Sequence, residues 1–319
     1  MKALVLGARG AVGRVVTAEL LRTGNDVVPA GRTAVPGGVR IALPGEEGLD
    51  ELERVAAEVD VVVNASGVED PRIGGRTGST PLVEISATAS YLERLAGPSV
   101  LLGAGLVPGL STVLVSALEP EPDDEIDVLV MLGSGEAHGA AAVAWTAGLI
   151  GTDIHDPAEG GTVPNLRSGR TGVGPDGRRR RYLRADFPDR TLTGLRVRSY
   201  LTLSSRAATS ALAVVARAPR LRGLIANSPH LGSSDWHVIA VSRGTGRSLS
   251  TWGTGQSETT GLLTALAAVR VAGAPPAGVV SMDAVVTLDD VLGLRTPVGG
   301  VVVSGSSSSP VPASESLDL

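Results

Sequence analysis

The sequence predicts an α/β protein whose first domain is a doubly wound parallel sheet and whose second domain is of mixed α+β type. In the first 118 residues, short apolar runs alternate with segments of helical periodicity, as buried parallel strands alternate with helices. Glycine-containing turns separate many of these segments. The length of 319 residues suggests two domains.

The first strand, turn and helix carry the strongest functional signal. Residues 2–6 are a short apolar run that predicts a buried strand, and residues 11–22 have helical periodicity. Glycines at three-residue spacing would allow a tight turn, a close approach to a pyrophosphate and close packing of helix on strand. This pattern predicts a Rossmann dinucleotide site, the alternative being an ordinary βα turn without a nucleotide. The predicted cofactor contacts are Gly7, Ala8, Arg9, Gly10, Ala11, Val12 and Gly13.

The end of the second strand indicates which dinucleotide is bound. Residues 26–30 predict a strand that ends at Gly31, Arg32 and Thr33, with no acidic residue nearby. An acid at this place accepts a hydrogen bond from the ribose of NAD, whereas arginine suits the 2′-phosphate of NADP. The sequence therefore predicts NADP (NADPH), unless Arg32 is only a solvated loop residue.

The remainder of the first domain continues the alternation after a Pro/Gly-rich connection over residues 34–48. The predicted helices cover residues 49–59, 89–96 and 111–118, and the predicted strands cover 60–64, 82–86 and 99–102. Small residues follow the strand that ends at Asn64, at a place where such folds hold ligands. We expect cofactor contacts from Asn64, Ala65, Ser66 and Gly67, although Asn64 could simply form an Asx turn.

Composition excludes several classes of protein. The chain has no cysteine, which excludes disulfides, thiolate catalysis and cysteine-bound metals. Lys2, inside the first predicted strand, is the only lysine, so neither the Tyr-x-x-x-Lys pair of classical short-chain dehydrogenases nor a Walker loop can occur. The net charge of −5 gives no reason to expect nucleic acid or an anionic membrane as a partner.

Residues 95–118 are uncharged and long enough to span a bilayer, but their glycines and proline favour strand, turn and helix. Because no signal peptide is recognisable, we expect a cytoplasmic protein.

The turn before the helix at residues 111–118 suggests a family. The glycine turn, Gly31-Arg32, Asn64-Ala-Ser-Gly67 and Gly105-Leu-Val-Pro-Gly109 together resemble the saccharopine dehydrogenase-like reductases. The resemblance implies that the last of these turns borders the nicotinamide at the hydride-transfer site, through Gly105, Val107, Pro108 and Gly109. It also implies a substrate domain inserted before the C-terminal helix, and a homodimer.

The rest of the chain fits such an insertion. We expect a Rossmann domain over residues 1–118, a substrate-binding and dimerisation domain over 119–255, a returning segment over 256–303 and a disordered tail over 304–319. Within the second domain, strands are expected at residues 126–132, 195–204, 235–243 and 248–253, and helices at 139–150 and 207–218. Residues 151–178 are expected to be irregular loop, and the basic run at 178–181 either meets an anionic group or forms a solvated hairpin edge. The returning helix is expected at 261–271, after an N-cap region at 256–260.

Candidate proton donors are few. His138 lies in a glycine-rich turn between a predicted strand and helix, and could supply the proton that accompanies hydride transfer or merely cap backbone groups. Glu136 and Tyr200 are further catalytic candidates. Asp235 and His237 share one face of a strand and are expected to be ordinary exposed residues, with an orienting pair as the alternative. No histidine pair has metal-ligand spacing on one helix, so no metal is expected.

These observations favour an NADP-dependent oxidoreductase that acts on a C=N bond, or the matching amine, of a small metabolite. Reduction of a C=C bond, as in trans-acting enoyl reductases, is an alternative within a biosynthetic pathway. A protein that binds NADP without redox turnover, as a sensor, scaffold or non-redox catalyst, is the alternative of a different class.

Overall fold

A computed structural model describes residues 1–33, 36–135, 140–156, 161–221, 223, 232–294 and 299–304. The chain forms two compact units. The first unit comprises Met1–Val113, Thr191–Thr193 and Ser257–Leu294. The second unit comprises the described parts of 114–190, 194–256 and 295–319.

The first unit contains a seven-stranded parallel sheet. Its strands are β1 (Lys2–Leu6), β2 (Asp26–Gly31), β3 (Val39–Arg40), β4 (Val61–Asn64), β5 (Leu82–Glu84), β6 (Ser99–Leu102) and β15 (Gly278–Ser281). Their spatial order is β15-β6-β5-β4-β1-β2-β3. The direction of winding reverses between β1 and β4, the switch point at which doubly wound sheets hold ligands. The predicted Rossmann doubly wound parallel sheet is confirmed.

Helices pack with this sheet. They are α1 (Ala11–Arg22), α2 (Glu46–Ala56), α3 (Arg72–Arg76), α4 (Ala89–Leu92), α5 (Leu110–Ala117), α9 (Gln256–Gly273) and α10 (Leu288–Leu292). Residues 114–117 of α5 and Gln256 of α9 belong to the second unit. Helix α2 begins three residues before the predicted start, with Glu46 and Glu47 in its first turn, where carboxylates favour the helix dipole. Its buried Leu49 and Leu52 join a core with Leu4 of β1.

The segment after residue 256 completes the first unit. Helix α9 begins at Gln256, so the residues expected to form only an N-cap already belong to the helix. Gly261 packs so closely on α1 that an added Cβ would lie 2.5 Å from the Cβ of Val15. The Thr264 hydroxyl donates to the Ala104 carbonyl oxygen at 2.7 Å. After α9, β15 pairs in parallel with β6 and extends the sheet.

The second unit contains a mixed sheet of seven strands and a two-stranded hairpin. Its strands are β7 (Glu125–Leu132), β8 (Asp153–Asp156), β9 (Gly161–Pro164), β10 (Gly169–Val173), β11 (Arg179–Arg184), β12 (Arg196–Leu203), β13 (Asp235–Ser242), β14 (Ser248–Thr254) and β16 (Gly299–Ser304). Its helices are α6 (Ala140–Gly148), α7 (Asp189–Thr193), of which Thr191–Thr193 belongs to the first unit, and α8 (Arg206–Arg217). The larger sheet has the order β10-β11-β12-β7-β13-β14-β16, with β12 and β7 parallel.

The expectation of irregular loop over residues 151–178 is wrong, because β8, β9 and β10 lie there. Glycines in β10 accommodate its neighbours: a Cβ at Gly172 would lie 2.8 Å from Leu129, and one at Gly169 would collide with the Tyr182 carbonyl oxygen. The composition therefore resembles that of a loop although the segment pairs as a strand. The basic run belongs to the β10–β11 hairpin, where Arg180 bonds Asp176 at 2.5 Å and Arg178, Arg179 and Arg181 are exposed.

One expectation falls at the C-terminal limit of the described residues. Residues 305–319 of the expected disordered tail lie outside the described residues, and Ser304 ends β16. Residues 95–118 form β6, a turn and α5, as predicted. No helix among the described residues has both the length and the apolar character needed to cross a membrane.

Candidate functional site

The turn after β1 requires glycine at two positions. Gly7 has φ +74°, and a Cβ there would lie 2.5 Å from the Ala65 carbonyl oxygen. A Cβ at Gly13 would collide with the Gly7 carbonyl oxygen. The turn is fixed by bonds from the Gly7 N–H to the Ala30 carbonyl at 3.0 Å and from the Gly10 N–H to the Gly7 carbonyl at 2.8 Å. The backbone thus approaches both β4 and α1 closely.

The start of α1 can bind an anion. Its N-cap is Gly10, which has no side chain to satisfy the first N–H groups, and its first turn contains no acid. The N–H groups of a first helical turn have no acceptor within the helix, and the helix dipole makes this end positive. Gly10 is exposed and has only the Gly7 carbonyl within 3.5 Å of an added Cβ. These features fit a diphosphate group.

The end of β2 lies beside this turn and is basic. The Arg9 guanidinium donates a hydrogen bond to the Thr33 hydroxyl, which brings Arg9 to the segment that contains Arg32. All three side chains are exposed. Because residues 31–38 contain no acid, no carboxylate from this segment competes for these guanidinium groups.

The end of β4 is occupied by an internal hydrogen-bond network. The Asn64 amide nitrogen donates to Glu84 at 2.6 Å and to the Val68 carbonyl at 3.1 Å. Its amide oxygen accepts from the Ser66 hydroxyl at 2.6 Å and from the Ser66 N–H at 3.2 Å. These bonds are those of the Asx-turn alternative, and direct contact of Asn64 with a coenzyme stays a prediction.

Glu84, the last residue of β5, was not among the residues selected from the sequence. Its side chain is fully buried and also accepts from the Ser86 N–H at 2.8 Å and from the Tyr91 hydroxyl at 2.9 Å. Burial raises the pKa of the Glu84 carboxyl, and its hydrogen-bond donors oppose that rise. The only signal in the sequence is a single acid at the end of an apolar strand.

The turn after β6 is closed by backbone bonds. The Gly105 N–H donates to the Pro108 carbonyl at 3.1 Å, and the Leu110 N–H donates to the Gly105 carbonyl at 2.9 Å. Gly109 has φ +132° and leaves no space for a Cβ. Next to it, the buried hydroxyl of Ser111 has no hydrogen-bond partner within the described residues.

All predicted coenzyme residues lie in the first unit, at the ends of β2 and β4, in the turns after β1, β2, β4 and β6, or in the first turn of α1: Gly7, Ala8, Arg9, Gly10, Ala11, Val12, Gly13, Gly31, Arg32, Thr33, Asn64, Ala65, Ser66, Gly67, Gly105, Val107, Pro108 and Gly109. These strands are parallel, so the turns lie at one edge of the sheet.

Of the three catalytic candidates, only Tyr200 lies among the described residues. His138 and Glu136 lie outside the described residues. Tyr200 is on β12 in the second unit, only 6% exposed, and its hydroxyl accepts from Arg243 at 3.2 Å. A catalytic role for Tyr200 stays a prediction.

Near Tyr200, the fully buried Asp127 bonds Arg243 at 2.9 Å and forms an ion pair with Arg170. We expect Asp127→Asn to lower the free energy of unfolding of the second unit by about 3 kcal/mol, because two partly buried guanidinium groups lose their shared countercharge. Urea unfolding monitored by tryptophan fluorescence measures this. Asp123→Asn, at a largely exposed ion pair, is the control and should change stability by less than about 1 kcal/mol.

The expectation that His237 is exposed is wrong: it is 2% exposed, whereas Asp235 is exposed as expected. His237 Nε2 lies 2.7 Å from the Tyr182 hydroxyl, so its partner comes from β11 and not from its own strand. Burial lowers the pKa of His237 to about 4, with a smaller contribution from Arg180.

This burial predicts acid sensitivity. The unfolded chain takes up a proton at His237 near pH 6.5, whereas the folded chain does so only near pH 4, so stability falls as the pH falls through this window. We expect a loss of roughly 3 kcal/mol between pH 7 and pH 4 from this residue. Urea unfolding at both pH values measures it. In His237→Gln the free energy of unfolding should fall by roughly 3 kcal/mol less between pH 7 and pH 4 than in the wild type. An equal fall in both proteins would show that His237 is not the source of the acid sensitivity.

Comparisons with known proteins identify the fold. No protein-family model matches the chain. No curated protein matches it either. Among solved structures, homospermidine synthase from Legionella pneumophila in complex with NAD aligns over 100% of this chain and 94% of its own, with TM-score 0.67 and 11% identity. A mutant meso-dapdh with DAP from Clostridium tetani aligns over 93% and 97%, with TM-score 0.45 and 13% identity.

The chain shares the fold of this homospermidine synthase structure. The first of these likenesses carries this assignment, since it extends over both chains almost completely. At 11% identity it shows the architecture alone.

Proposed function

We propose that the protein is an NADP-dependent oxidoreductase that transfers hydride to or from a C=N bond, or the matching amine, of a small metabolite. One observation carries the proposal: the uncapped start of α1 lies beside a basic cluster at the end of β2, in which Arg9 bonds Thr33. A dinucleotide with an additional phosphate on its adenosine ribose has negative charge at both places.

Each part of the coenzyme has residues that fit it. The N–H groups at the start of α1 would hold the diphosphate, and Arg32, Arg9 and Thr33 would hold the 2′-phosphate. The turns at residues 64–67 and 105–109 would shape the nicotinamide half. The bound coenzyme supplies the hydride, and the chain orients it and the substrate.

The preference for NADP rests on this chain's own residues. The homospermidine synthase structure contains NAD, so the architecture alone does not select the phosphorylated coenzyme. In this chain Arg32 follows β2 with no acid in residues 31–38, and Arg9, from the turn after β1, bonds the neighbouring Thr33. Guanidinium groups form strong charge-assisted hydrogen bonds with phosphate.

The choice of a C=N substrate rests on the resemblance of the sequence motifs, above all Gly105-Leu-Val-Pro-Gly109, to the saccharopine dehydrogenase-like reductases. That resemblance is also the basis for expecting a homodimer, which light scattering of the purified protein would test.

The test is calorimetry with NADPH, NADP⁺, NADH and NAD⁺, followed by the loss of NADPH absorbance with pooled imines and pooled enoyl compounds. The proposal predicts that NADPH binds much more tightly than NADH, and that NADPH is oxidised in the presence of imines. Oxidation of NADPH in the presence of enoyl compounds would indicate that the protein reduces C=C bonds instead. Binding without any oxidation would favour a non-redox protein, and absence of binding would overturn the proposal.

A further inference from the structure

The carboxylate of Glu84 is fully buried at the carboxyl end of β5. It accepts hydrogen bonds from Asn64, the Ser86 N–H and Tyr91 at 2.6, 2.8 and 2.9 Å. No arginine or lysine forms a salt bridge with it in the described part of the chain. Neutral donors alone therefore compensate its charge.

A continuous set of hydrogen bonds leads from this carboxylate to the glycine turn. Asn64, fixed by Glu84, accepts from the hydroxyl of Ser66, and that hydroxyl accepts from the Val68 N–H at 3.1 Å. The turn formed in this way places the Ala65 carbonyl oxygen 2.5 Å from where a Cβ of Gly7 would be. Glu84 is thus connected through Asn64 and Ser66 to the backbone that packs against the glycine turn.

We propose that Glu84 is a positioning residue for coenzyme binding: its ionised carboxylate holds Asn64 and residues 65–68 against the glycine turn, and its protonation releases them and weakens binding. The proposal rests on the proposed function, since it requires that the glycine turn binds the coenzyme. Glu84 is not a catalytic residue, because it acts only through Asn64 and the backbone that Asn64 orders.

Protonation must disturb this arrangement. A carboxylate accepts all three bonds, whereas a carboxylic acid must also donate one, and of the three donor groups only the Tyr91 oxygen can also accept. The titratable groups nearby are few: Tyr91 on α4, whose pKa burial raises, and Glu69 before α3, which accepts from Thr88 at 2.7 Å. Strands β4 and β6 contribute no titratable side chain.

The first experiment needs no coenzyme. In the free protein, amide hydrogen exchange at Ser66 and Val68 is expected to be about tenfold faster in Glu84→Gln than in the wild type, because glutamine replaces one acceptor oxygen by a donor. Glu69→Gln, which removes an exposed carboxylate nearby, should leave both rates unchanged. Equal exchange in Glu84→Gln and the wild type would overturn the positioning role.

The second experiment measures NADPH affinity against pH. We expect about tenfold weaker binding for Glu84→Gln at pH 8, and a wild-type affinity that falls with acidification more steeply than that of Glu84→Gln. The 2′-phosphate also titrates, but equally in both proteins. Tyr91→Phe removes one donor from the ionised carboxylate, so its loss of affinity should begin at higher pH.

A structural defect unrelated to the ionisation of Glu84 would not shift the pH at which the affinity for NADPH begins to fall. If the wild type binds NADPH but Tyr91→Phe and Glu84→Gln follow the same pH curve as the wild type, the inference fails and the proposed function stands. If the wild type binds no coenzyme, the proposed function fails, and the inference fails with it even if exchange at Ser66 and Val68 changes.

Discussion

Gly10→Ala is expected to weaken NADPH binding by about 30-fold or more, equivalent to about 2 kcal/mol, without unfolding the protein. Gly10 has φ −69° and ψ 169°, which any residue adopts, and a Cβ there has 3.2 Å to its nearest neighbour. The methyl group would instead occupy the space above the first N–H groups of α1, where a diphosphate approaches the backbone. Calorimetry with NADPH measures the affinity, and thermal unfolding reports on the fold.

Gly75→Ala is the matched control. Gly75 is an exposed glycine of α3, and an added Cβ there meets nothing within 4 Å. It should change neither affinity nor folding. If Gly10→Ala bound NADPH as tightly as Gly75→Ala, the start of α1 would not be the diphosphate site.

Arg32→Glu is expected to weaken NADPH binding by about 100-fold and to leave NADH binding within a few-fold of the wild type. The change replaces a charge-assisted hydrogen bond with repulsion of the 2′-phosphate, which NADH lacks. Titration of both coenzymes by calorimetry gives the ratio of their affinities.

Arg40→Glu separates this local effect from the change in net charge. Arg40 is exposed on β3, which pairs with β2 and therefore lies close to Arg32. Its replacement by glutamate changes the net charge by the same amount as Arg32→Glu. The control should lower both affinities only slightly. A parallel loss of NADPH and NADH affinity in Arg32→Glu would contradict specific recognition of the phosphate.

Much of the first unit could be predicted because its signals are local. Gly7 and Gly13 are needed where strand, turn and helix meet within thirteen residues, and the predicted bounds of β1 and α1 agree with the structure. The predicted start of α2 is three residues too late, because the helix begins at Glu46 and Glu47, which favour the helix dipole but do not belong to the apolar periodicity.

The second unit was harder because the residues that pack around its strands are distant in sequence. Gly172 of β10 leaves space for Leu129 of β7, which lies more than forty residues earlier, so a glycine that suggests a loop is a packing position in a strand. His237 is buried by a similar long-range contact, with Tyr182 of β11. Composition alone indicates neither contact.

The sequence indicates which turns form the candidate site, but not the hydrogen bonds that join them. Glu84 was missed because its partners Asn64, Ser86 and Tyr91 come from three segments, and burial of a carboxylate is a tertiary property. The bond between Arg9 and Thr33 likewise joins two turns that are separated in sequence.

The pairing of β15 with β6 has a consequence for synthesis on the ribosome. The edge of β6 has no partner strand until Gly278–Ser281 has emerged, after nearly all of the second unit. An unprotected strand edge promotes association between chains. A gene fragment that stops after α5 would therefore be expected to yield an aggregation-prone product, because β6 would keep an unpaired edge.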